Sequence, residues 1–329
     1  MSSRSKAGTQ SGYRPNFQLS TLNFQLSTIF TPMKKLSFIL IGCFFSLAGW
    51  AQNRNSTGNQ IKVIVIGAHP DDCELGAGGL AALYVAQGHA VKFVSLTNGD
   101  KGHQESGGGP LARRRYEEAM ESGRRLGVSY EILENHDGEL FPTLENRLEV
   151  IRMIREWDAD VVISHRPNDY HPDHRNAAIL LQDASYMVIV PNMLPSVAPL
   201  KKNPVFLYMR DRFQRPNPHR PDIAVDIAAV FPKKLDALDA HVSQFYEWLP
   251  WTAGKLDQVP AGKKERKEWL EKWVTPRYGV SGEVREALTK WYGAQKAPSV
   301  SMTETFEITE YGNQPDEAEV RRLFPMLKK

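Results

Sequence analysis

Cysteine is almost missing: Cys43 and Cys73 are the only two in 329 residues. A single possible pair cannot build a disulfide framework, so the fold has to rest on a hydrophobic core. Acidic residues are missing from the first 51 positions, which nonetheless hold Arg4, Lys6, Arg14, Lys34 and Lys35. The longest leader-like apolar run, Leu36 to Leu47, falls short of the roughly 20 residues that cross a bilayer. Low-complexity tracts are missing beyond residue 60. What remains is 41% hydrophobic and 24% charged, which excludes disordered, collagenous and coiled-coil chains. The length suits one α/β domain carrying a sizeable addition.

The N-terminal segment reads separately. Residues 1–32 contain the repeat Asn16-Phe-Gln-Leu-Ser-Thr21 and Asn23-Phe-Gln-Leu-Ser-Thr28, and read as upstream leader. Met33-Lys34-Lys35, the apolar run and the small-residue end Ala48-Gly49-Trp50-Ala51 have the layout of a signal peptide over 33–51. Residues 52–60 then read as a linker. The expectation is a periplasmic or secreted protein with no stable membrane anchor. A lipobox ending at Cys43 leaves too short an apolar stretch before the cysteine. The formal charge of +3 also belongs to the leader: without residues 1–51, Lys+Arg 36 stand against Asp+Glu 38. A near-neutral mature chain gives no reason to expect a nucleic-acid partner. The sequence leaves oligomeric state open.

The remainder alternates strand and helix. Ile61–Ile66 is a β-branched run stopped by Gly67 and reads as a buried strand, Val91–Leu96 and the short Glu131–Leu133 read as further strands, and Val161–Ile163 reads as a further buried strand. Helices are expected over Leu75–Gln87, over Leu111–Leu126, and after a Thr143 cap with an apolar face of Leu144, Leu148, Ile151 and Ile154. That rhythm predicts an α/β fold with a mostly parallel sheet flanked by helices (Rossmann-like). Residues 61–250 form the expected main domain. Residues 251–329 are expected as an irregular, helical C-terminal elaboration of the same domain. Within 200–329, strands are expected near Val205–Met209 and Ile223–Val225, and helices near Lys233–Tyr246, 265–273 and 282–292.

Two short texts carry the chemistry: His69-Pro-Asp71-Asp72 and His171-Pro-Asp173-His174. Each follows a buried strand. In a parallel sheet the carboxyl ends of the strands share one rim, so segments a hundred residues apart meet there. Proline restricts the residue before it to extended conformations, which places each histidine in a fixed turn. Two imidazoles and a carboxylate suit Zn²⁺, or another divalent ion, with a position left for water. Such a water has a pKa near ~7, a neighbouring carboxylate can take its proton, and a second histidine can face the oxyanion. Capped turns alone do not explain a histidine at the head of both motifs. Residue chemistry alone leaves open which aspartate binds metal and which is the base.

Ala68-His-Pro-Asp-Asp72-Cys-Glu74-Leu-Gly76-Ala-Gly78-Gly79 and His165-Arg-Pro-Asn-Asp169-Tyr-His171-Pro-Asp173-His174 resemble the PIG-L/LmbE-like deacetylases, zinc-dependent enzymes acting on N-acetylglucosamine-type sugars. Thr97-Asn-Gly-Asp100, Arg115-xx-Glu118, Asp137-Gly138, His241-Val-Ser-Gln244 and the tail Glu304-Thr-Phe-Glu307 add to the likeness. The resemblance implies that His69, Asp72 and His174 hold zinc. It implies Asp71 as the general base and later acid, and His171 at the oxyanion, oriented by Asp173. Arg115, Asp100 and His241 are candidate substrate contacts. Their plainer readings are a helix-pairing arginine, a turn residue and a structural histidine. The Gly76, Gly78 and Gly79 cluster lacks G-x-G-x-x-G spacing, which argues for close helix–sheet packing over phosphate binding. Cys73 is expected to be a spectator thiol. Five tryptophans between 247 and 292 could stack on sugar rings or simply pack. The resulting expectation is a metal-dependent N-deacetylase acting on a small-molecule or glycan substrate. Its rivals are an amidase for another acylated amine (a thiol conjugate or antibiotic), a non-catalytic carbohydrate-binding relative, and a nucleotide-binding Rossmann domain.

Overall fold

The computed structural model describes residues 60–328. The expected leader, the signal segment with Cys43, and all but the last residue of the linker lie outside the described residues. From Lys62 the chain runs β1 (Lys62–Gly67), α1 (Asp72–Ala86), β2 (Ala90–Thr97), α2 (Gly108–Leu126) and β3 (Ser129–Asn135). It continues through α3 (Leu144–Trp157), β4 (Val161–Ser164), α4 (Pro172–Met187), β5 (Val205–Met209) and β6 (Ile223–Asp226). Then come α5 (Phe231–Ala240), a π-helical turn (Gln244–Trp248), α6 (Leu249–Thr252), α7 (Lys263–Val274), α8 (Gly282–Lys296), β7 (Thr303–Gly312) and α9 (Glu317–Leu323).

The seven strands form one sheet in the order β3-β2-β1-β4-β5-β7-β6. β3 to β5 are parallel, and β7 runs antiparallel between β5 and β6. The β-branched text of β1 follows from this central position. Val63 and Val65 pack into the core on one face, and Ile64 and Ile66 into the core on the other. Both faces are covered by helices, so neither face of the strand can be polar. α3 and α4 contact each other, as do α1 and α5 and also α2 and α5.

Three elements differ from expectation. α4 was not anticipated, although His171 as N-cap and Pro172 in its first turn are start signals. The helix expected to reach Tyr246 ends at Ala240, where His241 leaves helical geometry at φ −82°, ψ 65°. The tail expected to be helical also supplies the ten-residue strand β7. Its Glu304 accepts the α1 backbone N–H groups of Gly79 and Leu80, at 2.8 and 2.7 Å, and pairs with buried Lys234. The tail is thereby tied to the helix that begins with the first motif. A Cβ on Gly76 would sit 2.1 Å from Met209 Sδ, and one on Gly79 would sit 2.8 Å from Ile227 Cγ2. Close packing, not anion binding, is what those glycines permit. Cys73 is buried between β1 and β2, its Sγ 3.3 Å from Val65 O and 3.4 Å from Val94 O.

Candidate metal centre

Strand order reverses at β1 and β4, so a crevice opens beyond their carboxyl ends. His69-Pro-Asp71-Asp72 fills the turn after β1. Main-chain bonds from Asp71 N (2.9 Å) and Asp72 N (3.2 Å) to His69 O close it. Asp72 Oδ2 accepts the N–H groups of Ala68 (3.0 Å) and His69 (2.8 Å), which fixes its carboxylate. After β4, His165 comes first, His171 caps α4, and His174 lies in the first turn of α4.

These segments converge. His69 Nδ1 is 3.2 Å from His174 Nε2 and 3.5 Å from Asp72 Oδ2, and His174 Nε2 is 3.6 Å from Asp72 Oδ1. Ligands held at 2.0–2.1 Å by a tetrahedral ion sit ~3.3 Å apart, close to the spacing of the two imidazoles and of each imidazole from one oxygen of the Asp72 carboxylate. Overlapping sets also bring ligand atoms within 4.8 Å of one another: His69, His171 and His174; Asp72, His165 and His174; and His69, Asp137, His171 and Asp173. The donor chemistry, imidazole with carboxylate, fits zinc or a related divalent ion.

The surrounding charges point the same way. Burial disfavours a charged His69, but Asp137, Asp173 and Asp72 outweigh it and hold the imidazole well above its ordinary pKa. His174 is raised too, because Asp72 and Asp169 overcome burial. Burial would lift Asp72, yet the nearby His174 and His165 keep it well below the carboxylate range. Carboxylates thus surround a point that attracts positive charge. His69 Nε2 meets Asp173 Oδ2 at 3.1 Å and Asp137 Oδ1 at 3.2 Å, leaving Nδ1 free to ligate. His174 Nδ1 lies 3.1 Å from Asp169 Oδ1, an ion-pair contact without hydrogen-bond geometry.

Asp71 stands apart from these donors. The turn holds it at φ 159°, ψ −18°, an unusual conformation for a residue with a side chain. Burial raises its carboxyl to about 6, against the opposing pull of Arg115. Arg115 Nη2 donates to Asp71 Oδ1 and to Pro70 O, both at 3.2 Å, and Nη1 donates to Gly99 O at 3.1 Å. A carboxylate that titrates near neutral pH beside a metal-type donor set can exchange protons.

His171 is fixed differently from the expectation. Its Nδ1 accepts the backbone N–H of Asp173 at 3.2 Å, while the Asp173 carboxylate is 4.0 Å away. That carboxylate accepts Gly138 N (2.6 Å) and Leu140 N (3.1 Å) and faces His69. Asp173 therefore orients His171 through its main chain, and its side chain organises His69 and the 137–140 loop. With Nδ1 accepting, the neutral His171 ring carries its proton on Nε2. Burial, with His69 and His174 nearby, lowers its pKa and favours that neutral form.

The three candidate substrate contacts are placed otherwise. Arg115 is 2% exposed and engaged with Asp71 and the Gly99 and Pro70 carbonyls. Asp100 is buried, its oxygens taken by Asp137 N (3.0 Å) and His136 Nδ1 (2.6 Å), so it supports the Asp137 loop. His241 is fully buried, with Nε2 2.9 Å from Glu74 Oε1. All three are buried and engaged with neighbouring protein groups, while Arg115 Nε and His241 Nδ1 have no hydrogen-bond partner among the described residues. Sequence reasoning gave no role to Asp137, His165 or Asp169, although all three stand in quoted motifs. His165 Nε2 is 3.1 Å from Asp72 Oδ2, and its ring stacks on His174 with centroids 4.1 Å apart. The available signal was position: His165 and Asp169 follow β4, which ends at the crevice, and Asp137 follows β3, which ends on the same rim.

Comparison with known proteins identifies the family. Residues 64–185 match the family model described as PIG-L, GlcNAc-PI de-N-acetylase. A diacetylchitobiose deacetylase of Thermococcus kodakarensis is 34% identical over 203 residues, which cover 58% of this chain and 73% of the relative. A 4-oxalmesaconate hydratase of Pseudomonas putida is 27% identical over 226 residues, covering 64% of this chain and 84% of that one. The structure of N,N'-diacetylchitobiose deacetylase from Pyrococcus horikoshii, complexed with its inhibitor MPG, superposes with a TM-score of 0.57. That match has 26% identity and covers 76% of this chain and 84% of that one. An α/β protein with a histidine–aspartate cluster at the sheet's switch point is the class the fold defines. The chain belongs to the PIG-L/LmbE-like deacetylase family.

Proposed function

We propose that the chain is a divalent-metal-dependent hydrolase that removes the acetyl group from an N-acetylated amino sugar or glycoconjugate. The observation that carries this reading is the 3.2–3.6 Å spacing of His69 Nδ1, Asp72 and His174 Nε2 beside a carboxyl raised to about 6, that of Asp71. His69, Asp72 and His174 would hold the ion, zinc by donor chemistry. When bound, such an ion supplies Lewis acidity toward a water and the acetyl carbonyl.

The chain's own residues do the rest. Asp71 takes the proton of the attacking water and returns it to the leaving amine nitrogen. Neutral His171 donates its Nε2–H to the carbonyl oxygen as that atom gains charge. Asp173 and Asp137 hold His69 through Nε2, and Asp169 holds His174 through Nδ1. The products are acetate and a free amine. Deacetylase activity in the names of two similar proteins supports the reaction type. Export to the periplasm or medium is proposed from residues 33–51 alone.

The test is acetate release by the cation-loaded protein from N-acetylglucosamine, N,N'-diacetylchitobiose, acylated thiol conjugates and acylated antibiotics. Acetate from an N-acetylated sugar supports the reading, and acetate from none of them contradicts it. The hydratase relative motivates a second reading, addition of water to a carbon–carbon double bond. The two separate in the same assay, because hydration yields no acetate.

Arg115 sets a further expectation. Its positive charge pulls down an Asp71 carboxyl that burial pushes up. A base must be ionised, so activity falls as pH drops through its pKa. In Arg115→Gln that downward pull is gone, and the acid limb of kcat/KM should move to higher pH by about one pH unit. An unmoved limb would mean that Asp71 is not the group titrating.

A further inference from the structure

Five tryptophans lie between 247 and 292, and the fold separates them. Trp291 is 1% exposed, with its Nε1 bonded to Asp222 O. Trp269 and Trp273 pack on each other at 4.9 Å and against the main core. Trp248 and Trp251 alone form an outward pair, stacked with centroids 5.2 Å apart and planes 15° apart, and Trp251 is 49% exposed.

Trp248, the inner member of the pair, lies close to the groups that support the metal-type donor set. A Cβ on Gly102 would lie 3.0 Å from Arg115 Nη1, 3.2 Å from Asp137 Oδ2 and 3.7 Å from Trp248 Nε1. The indole N–H therefore shares one small gap with the guanidinium that holds Asp71 and the carboxylate that holds His69. Trp248 is half-buried, and its Nε1 has no hydrogen-bond partner among the described residues. The π-helical turn that presents it is pinned on both sides. Gln244 Nε2 donates to Gly102 O at 3.1 Å, and Glu247 takes two bonds from Arg114, at 2.7 and 2.6 Å, plus His103 at 2.8 Å. A π-turn inserted at the edge of a site, and held this firmly, places a side chain at a fixed position.

We infer that Trp248 and Trp251 form a stacking subsite for a second sugar ring, next to the sugar that carries the reacting acetamide. This rests on the deacetylase reading above. A pyranose has what the pair can recognise: a flat C–H face for an exposed indole, and edge hydroxyls for the unpaired Trp248 N–H. The surroundings oppose other occupants. Glu247, Arg114 and His103 make the flank ionic, which suits hydroxyls and not acyl chains, and a single exposed indole is too small an apolar area for a protein dimer. The ligand class is thus an oligosaccharide or glycoconjugate, and the free monosaccharide fills only half the site.

The test compares kcat/KM for N,N',N'',N'''-tetraacetylchitotetraose and N-acetylglucosamine in wild type, Trp251→Ala and Trp248→Phe. The expected result is a fall in the ratio (tetramer over monomer) of about tenfold in Trp251→Ala, and a smaller fall in Trp248→Phe, which keeps a ring and loses the donor. An unchanged ratio in both variants overturns the inference. A separate arm measures quenching of tryptophan fluorescence by the tetramer in Asp71→Asn and in the double variant with Trp251→Ala. Quenching that is lost in the double variant supports the subsite even if no substrate is turned over, which would count against the deacetylase reading alone. Equal quenching in both proteins, or none in either, overturns the subsite.

Discussion

Asp71→Asn is expected to lower kcat by about 10³-fold while the protein keeps its fold and its metal, since general acid–base groups contribute on this scale. Asparagine matches aspartate in size and can still accept from Arg115, so the turn after β1 should survive. It cannot take a proton from water or return one to an amine. Asp71 does not belong to the closest donor triad, whose spacing is set by His69, Asp72 and His174. Metal content should therefore stay at the wild-type level. Steady-state kinetics, far-UV circular dichroism and metal analysis on the same preparation check all three parts. Retained turnover would remove Asp71 from the proton path.

The second large effect is expected at the opposite motif. His174→Ala removes an imidazole whose Nε2 stands 3.2 Å from His69 Nδ1 and 3.6 Å from Asp72 Oδ1. Three protein donors become two, and bound metal should fall from about one per chain to below about a tenth after dialysis. Activity should fall with it. Asp173→Asn provides the graded comparison, because in the proposed site Asp173 would act on the ion through His69, whose Nε2 it meets at 3.1 Å. Losing such a supporting carboxylate costs about 10–100-fold in metal affinity, so this variant should regain activity at high zinc where His174→Ala does not. Metal titration of the three proteins side by side checks the order. His174→Ala with full metal content would show that the donors lie elsewhere in the cluster.

Much of the site can be read from the sequence because its geometry follows from topology. A buried β-branched run followed by His69-Pro-Asp-Asp72, and a second followed by His165 to His174, must end on the same rim of a parallel sheet. What lay hidden depends on distances that no local pattern encodes. Arg115 reads from the sequence as a ligand contact or a helix-pairing arginine, yet it turns inward to Asp71 across 44 residues of sequence. His241 appeared on a helix that the structure ends one residue earlier, and it pairs with Glu74 on α1. β7 escaped notice because Thr303–Gly312 mixes threonine and glutamate with single apolar residues, and its strand character comes from pairing with β5 and β6. The split among the tryptophans likewise depends on tertiary packing: similar indoles sit in the core at Trp291 and at the rim at Trp251.

The central claim is cation-dependent hydrolysis of an N-acetyl group at this cluster. The most direct measurement is a proton NMR time course of N,N'-diacetylchitobiose with the zinc-loaded protein. The account predicts that an acetamide methyl signal is replaced by an equal acetate signal, with one free amine per acetate, and that a chelator stops the conversion. An acetamide signal that persists unchanged with the loaded wild-type protein, or acetate release that continues undiminished after metal removal, would contradict it.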